Sequence, residues 1–110
     1  MSAFEALDPE KALVFYHIPC IFIASQGAVA ATDAETCKKL ISGFMGRLRE
    51  QNFLRNEVVG LNVNQLSPIL AICSGTFIRI DKNEKEINRF GFNYTMRNDG
   101  SWKIVVAALF

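Results

Sequence analysis

The sequence predicts an α+β fold in which a strongly curved antiparallel sheet wraps around helices. Two observations lead to this prediction. Residues 57–110 consist of long strand-like runs joined by hairpin turns, the last of them an Asp-Gly turn. One strongly amphipathic helix precedes these runs, and a curved sheet needs such an apolar helix face to cover its concave side.

Composition fits a single domain that spans residues 1–110. Half of the chain is hydrophobic, including nine phenylalanines, which supplies one core. The net charge is +1 and both signs are interspersed, so we expect no nucleic-acid partner and no membrane partner. No apolar run approaches the roughly 20 residues of a membrane span.

The cysteines indicate a reducing compartment. Cys20, Cys37 and Cys73 are odd in number, form no Cys-x-x-Cys pair and stand among apolar residues, which favours buried thiols over disulfides or redox centres. The first residues contain neither the basic nor the apolar segment of a signal peptide. We therefore expect a cytoplasmic protein.

In the first half of the chain, helices flank a small hairpin. A helix is expected from Asp8 to about Tyr16, because Pro19 prevents its continuation. Residues 18–31 then predict a hairpin in which Gly27 supplies the positive φ of the turn.

The long helix is the most clearly patterned element. Thr32 and Glu35 match a capping box. Apolar residues then recur at helical spacing, at Ala34, Cys37, Leu40, Ile41, Phe44, Met45 and Leu48. Gly43 and Gly46 cost about 1 kcal/mol each relative to alanine, which we interpret as close packing of the sheet, rather than of a ligand, against them.

Strand runs follow at residues 69–81, 86–97 and 102–110, and the alternating segment 57–65 is a further candidate strand. Turns with Asp81 opposite Glu86 and Asn98 opposite Ser101 set the register and therefore the two faces of the sheet. The face towards the long helix is aromatic, and its small residues are compatible with plain packing or with a cavity. The predicted pocket residues are Phe44, Leu48, Cys73, Phe77, Arg79, Phe90, Phe92, Tyr94, Val105 and Leu109.

The opposite face of the sheet mixes polar and apolar side chains. A solvated face of an antiparallel sheet is normally polar, and a mixed patch of this kind is typical of a protein contact. We therefore expect a homodimer that forms through this face. The predicted interface residues are Ile72, Ser74, Thr76, Ile78, Asn93, Thr95, Ile104 and Val106.

The order of elements resembles the nuclear transport factor 2-like superfamily, which includes ketosteroid isomerase and the SnoaL-like polyketide cyclases. The resemblance extends over nearly the whole chain and includes the segments FYHIPC at residues 15–20 and GSWKI at residues 100–104. It implies a cone-shaped, cystatin-like roll around a pocket, with dimerisation through the sheet in many members. The chain departs from the pattern ahead of Asp8, where a short helix has only Phe4 and Leu7 to bury.

Enzymes of this superfamily place a catalytic Asp, His or Tyr in the pocket. The resemblance puts Ala24 or Ser25 where ketosteroid isomerase needs its general-base aspartate, and neither can act as that base. The catalytic candidates are Tyr94, Tyr16 and His17, each with a structural alternative: a packed tyrosine, or a histidine at a helix end. Arg79 could reach an anionic group at the pocket rim or end in solvent.

Three functions stay open at this point. The first is a small dimeric ligand-binding or interaction domain with an apolar pocket. The second is an isomerase, dehydratase or cyclase-type enzyme that acts on a small hydrophobic carbonyl compound. The third is a structural dimer whose cone is filled by its own phenylalanines. The sequence contains no metal-ligand spacing and no phosphate-binding loop, so we expect no metal and no cofactor.

Overall fold

The computed structural model describes residues 7–110, which form two helices and six strands. In chain order they are α1 (Pro9–Leu13), β1 (Tyr16–Ala24), β2 (Gly27–Ala31), α2 (Ala34–Glu50), β3 (Phe53–Ser67), β4 (Leu70–Asp81), β5 (Glu86–Asn98) and β6 (Trp102–Leu109). The strands form one open sheet in the order β2-β1-β6-β5-β4-β3. Neighbouring strands are antiparallel except for the parallel pair β1 and β6. The predicted α+β fold is confirmed.

The first helix is shorter than the sequence predicts. It ends at Leu13, and Tyr16 already belongs to β1. Pro19 does not stop a helix but lies inside this strand, after a cis peptide bond. Its position has no paired residue on β2 or β6, so the missing N–H of proline removes no hydrogen bond from the sheet. The short helix expected ahead of Asp8 falls on residues 1–6, outside the described part of the chain.

The hairpin that follows is confirmed, but the helix cap is a different residue from the predicted one. Ala24 pairs with Gly27 across a two-residue turn, and Gly27 has the positive φ of +140°. The N-cap of α2 is Asp33, whose Oδ1 accepts a hydrogen bond from the backbone N–H of Thr36 at 2.7 Å. A carboxylate is a stronger acceptor than the hydroxyl of Thr32, so the capping box does not form.

Helix α2 packs its apolar stripe onto the sheet, and this contact forms the core. The fully buried members of the stripe are Cys37, Ile41, Met45 and Leu48. Cys37, Ile41 and Met45 pack with residues of α1, β1, β2 and β6, namely Ala12, Tyr16, Cys20, Ala31, Ile104 and Ala107. The two helical glycines do not mark a close contact as predicted, because a Cβ at Gly43 or Gly46 would meet no atom within 4 Å.

The register of β4 against β5 agrees with the prediction over the middle of the strands. Phe77 pairs with Phe90, and Gly75 pairs with Phe92, whose ring lies directly over it. Near the loop, a bulge replaces the expected pairing of Asp81 by a pair between Ile80 and Glu86. The inner face of this hairpin is therefore the predicted one.

The register of β5 against β6 differs from the prediction. Asn98 pairs with Trp102 instead of Ser101, and a bulge follows in which Val105 is the extra residue. Ile104, which the predicted register places on the outer face and in the dimer interface, is instead buried in the core beside Tyr16. Bulges change which face a side chain occupies, and local sequence gives little indication of where they occur.

Among residues 7–110, no helix combines the length and the apolar composition needed to cross a lipid bilayer.

Candidate functional site

A cavity of about 620 Å³ lies between helix α2, the β1–β2 hairpin and the inner face of the sheet. Its size is within the range of small-molecule sites. The wall from α2 consists of Leu40, Ile41, Phe44 and Arg47, and the hairpin contributes residues 22–29. The sheet contributes Tyr16, Asn56, Phe77, Arg79, Asn88, Phe90, Tyr94, Ala107 and Leu109.

Six of the ten predicted pocket residues line this cavity: Phe44, Phe77, Arg79, Phe90, Tyr94 and Leu109. The other four do not. Leu48 and Phe92 are buried below the wall, where the Phe92 ring stacks on Phe77 with 4.2 Å between centroids. Cys73 is half-buried outside the lining, and Val105 occupies the bulge of β6.

Arg79 is buried in the cavity wall rather than solvated at a strand end. The residue is 8% exposed. Its guanidinium carbon lies 4.4 Å from the ring centroid of Phe90 and 4.9 Å from that of Phe44. Its Nε is buried without a hydrogen-bond partner among the described residues. Burial lowers the pKa of Arg79 from 12.5 to about 10, so the side chain is still a cation at neutral pH.

Two asparagines flank Arg79 on the neighbouring strands. Asn56 of β3 and Asn88 of β5 are its direct cross-strand partners, and both line the cavity. The Oδ1 atom of Asn56 is also buried without a hydrogen-bond partner among the described residues. Sequence reasoning missed Asn56 because the candidate strand was expected to start at residue 57, whereas β3 starts at Phe53.

A second arginine reaches the same wall from the helix. The guanidinium carbon of Arg47 lies 5.8 Å from the Phe44 ring centroid, so Phe44 is close to both arginines. The charge of Arg47 lowers the pKa of Arg79 further, after the larger effect of burial. The cavity is therefore electropositive on this side.

Two of the three catalytic candidates line the cavity. Burial raises the pKa of both Tyr16 and Tyr94 above the usual value of 10.0. Both phenols therefore stay protonated at neutral pH. A protonated phenol can donate or accept a hydrogen bond but is a poor general base. The Tyr94 ring packs 5.0 Å from Phe92 and 6.3 Å from Phe77.

His17, the third candidate, is not brought together with these tyrosines in the cavity lining. Its Nδ1 lies 2.9 Å from the backbone oxygen of Pro19. Its Nε2 lies 3.4 Å from Arg97 Nη1 and 3.8 Å from Asp99 Oδ2. The histidine thus joins the start of β1 to the β5–β6 turn.

The cavity lining combines several polar groups with aromatic side chains. The polar groups are the guanidinium groups of Arg47 and Arg79, the amides of Gln26, Asn56 and Asn88 and the hydroxyls of Ser25 and both tyrosines. All of them can donate hydrogen bonds, so the wall is suited to an acceptor or an anion. Within residues 7–110, no group of three or more His, Cys, Asp or Glu side chains is arranged to hold a metal ion.

The fold and the cavity together define a cystatin-like α+β domain. The family model described as NTF2-like protein (DUF6841) matches residues 1–109. The chain therefore belongs to this NTF2-like family, which confirms the resemblance inferred from the order of elements. No curated protein shows significant sequence similarity to the chain.

Solved structures show the same fold at low sequence identity. A cystatin-like protein of unknown function from Nostoc punctiforme has a TM-score of 0.77 and 14% identity, covering 98% of this chain and 79% of its own. An NTF2-like protein of unknown function from Shewanella oneidensis has a TM-score of 0.72 and 11% identity, with coverages of 98% and 87%. A candidate scytalone dehydratase from Novosphingobium aromaticivorans has a TM-score of 0.71 and 19% identity, with coverages of 98% and 73%.

Proposed function

We propose that this protein is a small, dimeric ligand-binding domain whose cavity takes a small and mainly apolar molecule. The observation that carries the proposal is the cavity of about 620 Å³, which has an aromatic wall and a few convergent polar groups. This combination is the usual form of a small-molecule site. The free thiols of Cys20, Cys37 and Cys73 support a cytoplasmic location.

The polar groups of the wall favour binding over catalysis. At pH 7 Arg79 is a cation, because burial lowers its pKa only to about 10. Tyr94 is a neutral phenol, because burial raises its pKa further above 7. Such groups orient a ligand by hydrogen bonds that are already present in the ground state, and uniform binding of this kind does not by itself accelerate a reaction.

The outer face of the sheet supports the dimer. A row of paired residues crosses it from Val59 of β3 through Thr76 and Gly91 to Phe110 after β6. The ring of Phe110 lies over Gly91 but is still 75% exposed, and Val59 is 47% exposed. Apolar side chains in this position gain stability when a second copy covers them.

The ligand-binding test uses a neutral apolar probe and a blocked cavity. We expect 1-decanol to bind in isothermal titration calorimetry and to raise the melting temperature. Ala28→Trp places an indole on the hairpin wall of the cavity and should weaken binding roughly tenfold or more. Ala30→Trp is the matched control, because Ala30 is exposed on the same strand but does not line the cavity. Equal affinity of both variants, or no binding to the native protein, would contradict the proposal.

The dimer is tested separately by light scattering at micromolar concentration. We expect a dimeric mass for the native chain and a monomeric mass for Thr76→Arg, which places a charge in the middle of the outer face. Ser42→Arg, on the exposed side of α2, should leave the mass unchanged. A native monomer would refute this part of the proposal.

A second candidate function is an isomerase, dehydratase or cyclase-type activity on a hydrophobic carbonyl compound. The observation in its favour is the protonated Tyr94 hydroxyl at the cavity wall, which can donate a hydrogen bond to a carbonyl oxygen on which negative charge develops. Turnover of a cyclic ketone that is lost in Tyr94→Phe, with the ketone still bound, would support this activity. Binding without turnover supports the ligand-binding domain.

A further inference from the structure

We infer that the cavity selects ligands that carry a carboxylate, and that the Arg79 guanidinium binds this group. The inference rests on the proposed ligand-binding function and specifies the chemical class of the ligand: a monocarboxylic acid with an apolar body. Four features of the wall support it: a buried cation without a counter-ion among residues 7–110, its fixed position, its polar neighbours and the apolar character of the remaining surface.

The first feature is the missing counter-charge. None of the carboxylates in residues 7–110 forms an ion pair with Arg79, although Arg55, Arg89 and Arg97 each have an acidic partner. A charge removed from water is costly unless a partner compensates it. Arg79 is more than nine-tenths buried and lines the cavity, so a ligand in the cavity can supply the partner for its charge.

The second feature is that two aromatic rings contact the guanidinium, while its Nε forms no hydrogen bond with residues 7–110. The contacts with the Phe44 and Phe90 rings are cation–π contacts. They fix the cation but supply no oxygen or nitrogen acceptor. The planar donor set of arginine matches the two oxygens of a carboxylate, so a carboxylate can bind without first displacing a protein acceptor.

The third feature is the polarity of the immediate neighbours. Asn56 and Asn88 lie beside Arg79 on both adjacent strands, and Arg47 adds a second positive charge from the helix. The amides offer further donors to the outer lone pairs of a carboxylate. A cationic ligand is disfavoured at this wall by repulsion from both arginines.

The rest of the wall sets the apolar body of the ligand. Phe77, Phe90 and Leu109 provide a surface that favours hydrocarbon or aromatic groups. A carboxylate carries one negative charge, which the single buried arginine can neutralise. A phosphate monoester carries up to two negative charges, and the second would depend on Arg47, which is exposed and contributes less, so phosphate is the less favoured anion.

The experiment compares three ligands of equal chain length by isothermal titration calorimetry at pH 7: decanoate, 1-decanol and decylamine. For the native protein we expect decanoate to bind roughly tenfold or more tightly than 1-decanol, and decylamine to bind most weakly. In Arg79→Met, the affinity for decanoate should fall to that for 1-decanol. Arg89→Met, an exposed arginine on the outer face, should keep the native preference.

The outcomes separate the two proposals. Equal affinity of the native protein for decanoate and 1-decanol would overturn the carboxylate inference but leave ligand binding intact. A preference that survives in Arg79→Met with a native circular dichroism spectrum would also overturn it, and so would tighter binding of decyl phosphate than of decanoate. Failure of all ligands to bind would refute the proposed function itself. The comparison within the native protein needs no variant and stays decisive if Arg79→Met does not fold.

Discussion

Replacing the buried arginine should make the ligand-free protein more stable. Arg79→Met keeps most of the side-chain volume and removes the charge. Burial lowers the pKa of Arg79 from its usual value to about 10, and each pKa unit corresponds to about 1.4 kcal/mol, so burying the cation costs about 3 kcal/mol. Methionine does not carry this cost.

Part of this gain is offset by contacts that the substitution removes. The guanidinium contacts the rings of Phe44 and Phe90 at 4.9 and 4.4 Å, and such cation–π contacts contribute about 0.5–1 kcal/mol each, or more when desolvated. Methionine recovers some of this through its own contacts with aromatic rings. We therefore expect the free energy of unfolding to rise by about 1–2 kcal/mol.

The assay is equilibrium unfolding in urea, followed by circular dichroism, with the slope of the transition used to verify that the unfolded states are comparable. Arg89→Met should leave the midpoint unchanged, because its ion pair with Glu86 is exposed. Decanoate should raise the midpoint of the native protein more than that of Arg79→Met, which keeps only the apolar part of the binding. A loss of more than about 1 kcal/mol in Arg79→Met, with a native spectrum, would refute the reasoning, because the guanidinium would then be satisfied by the fold itself.

Four further substitutions test local features. Asp33→Ala should lower the melting temperature by removing the cap of α2, and the difference from the native protein should shrink below about pH 3.8, because hydrogen bonding lowers the pKa of Asp33 in the folded state. Gly75→Ala should cost about 1–3 kcal/mol, since its Cβ would lie 3.0 Å from the Phe92 ring, whereas Gly43→Ala should gain about 0.5–1 kcal/mol. Burial raises the pKa of Cys20 from 9.0 to about 12, so the folded state keeps a proton that the unfolded state releases. Stability should therefore fall from pH 9 to pH 12, and Cys20→Ala should reduce this slope by up to about 1.4 kcal/mol per pH unit.

Each of these tests has a control. Thr32→Ala should not change the melting temperature. A decrease in melting temperature equal to that of Asp33→Ala would show that Thr32 caps the helix, as the predicted capping box requires. Equal effects of alanine at Gly75 and Gly43 would mean that the Phe92 contact imposes no constraint. Substitution of Cys73, which is only half-buried, should change the alkaline slope less than substitution of Cys20, and the reverse order would contradict the assigned cause.

The sequence by itself determined the order of the elements and most of their limits. Alternating residues, the amphipathic stripe of α2 and the Asp-Gly turn act over a few neighbouring residues, so they can be interpreted without knowing the fold. The pairing of Phe77 with Phe90 and of Gly75 with Phe92 followed from one hairpin loop. These local constraints were sufficient to indicate the NTF2-like family.

Only the tertiary structure decided the register of β6, the course of the chain at Pro19 and the environment of Arg79. The bulge at Val105 places Ile104 in the core, and it depends on how β6 packs against both β1 and β5. Arg79 is buried because rings from α2 and β5 converge on it, and its asparagine neighbours come from two other strands. Burial and charge compensation are sums over residues distant in sequence, so a local pattern cannot specify them.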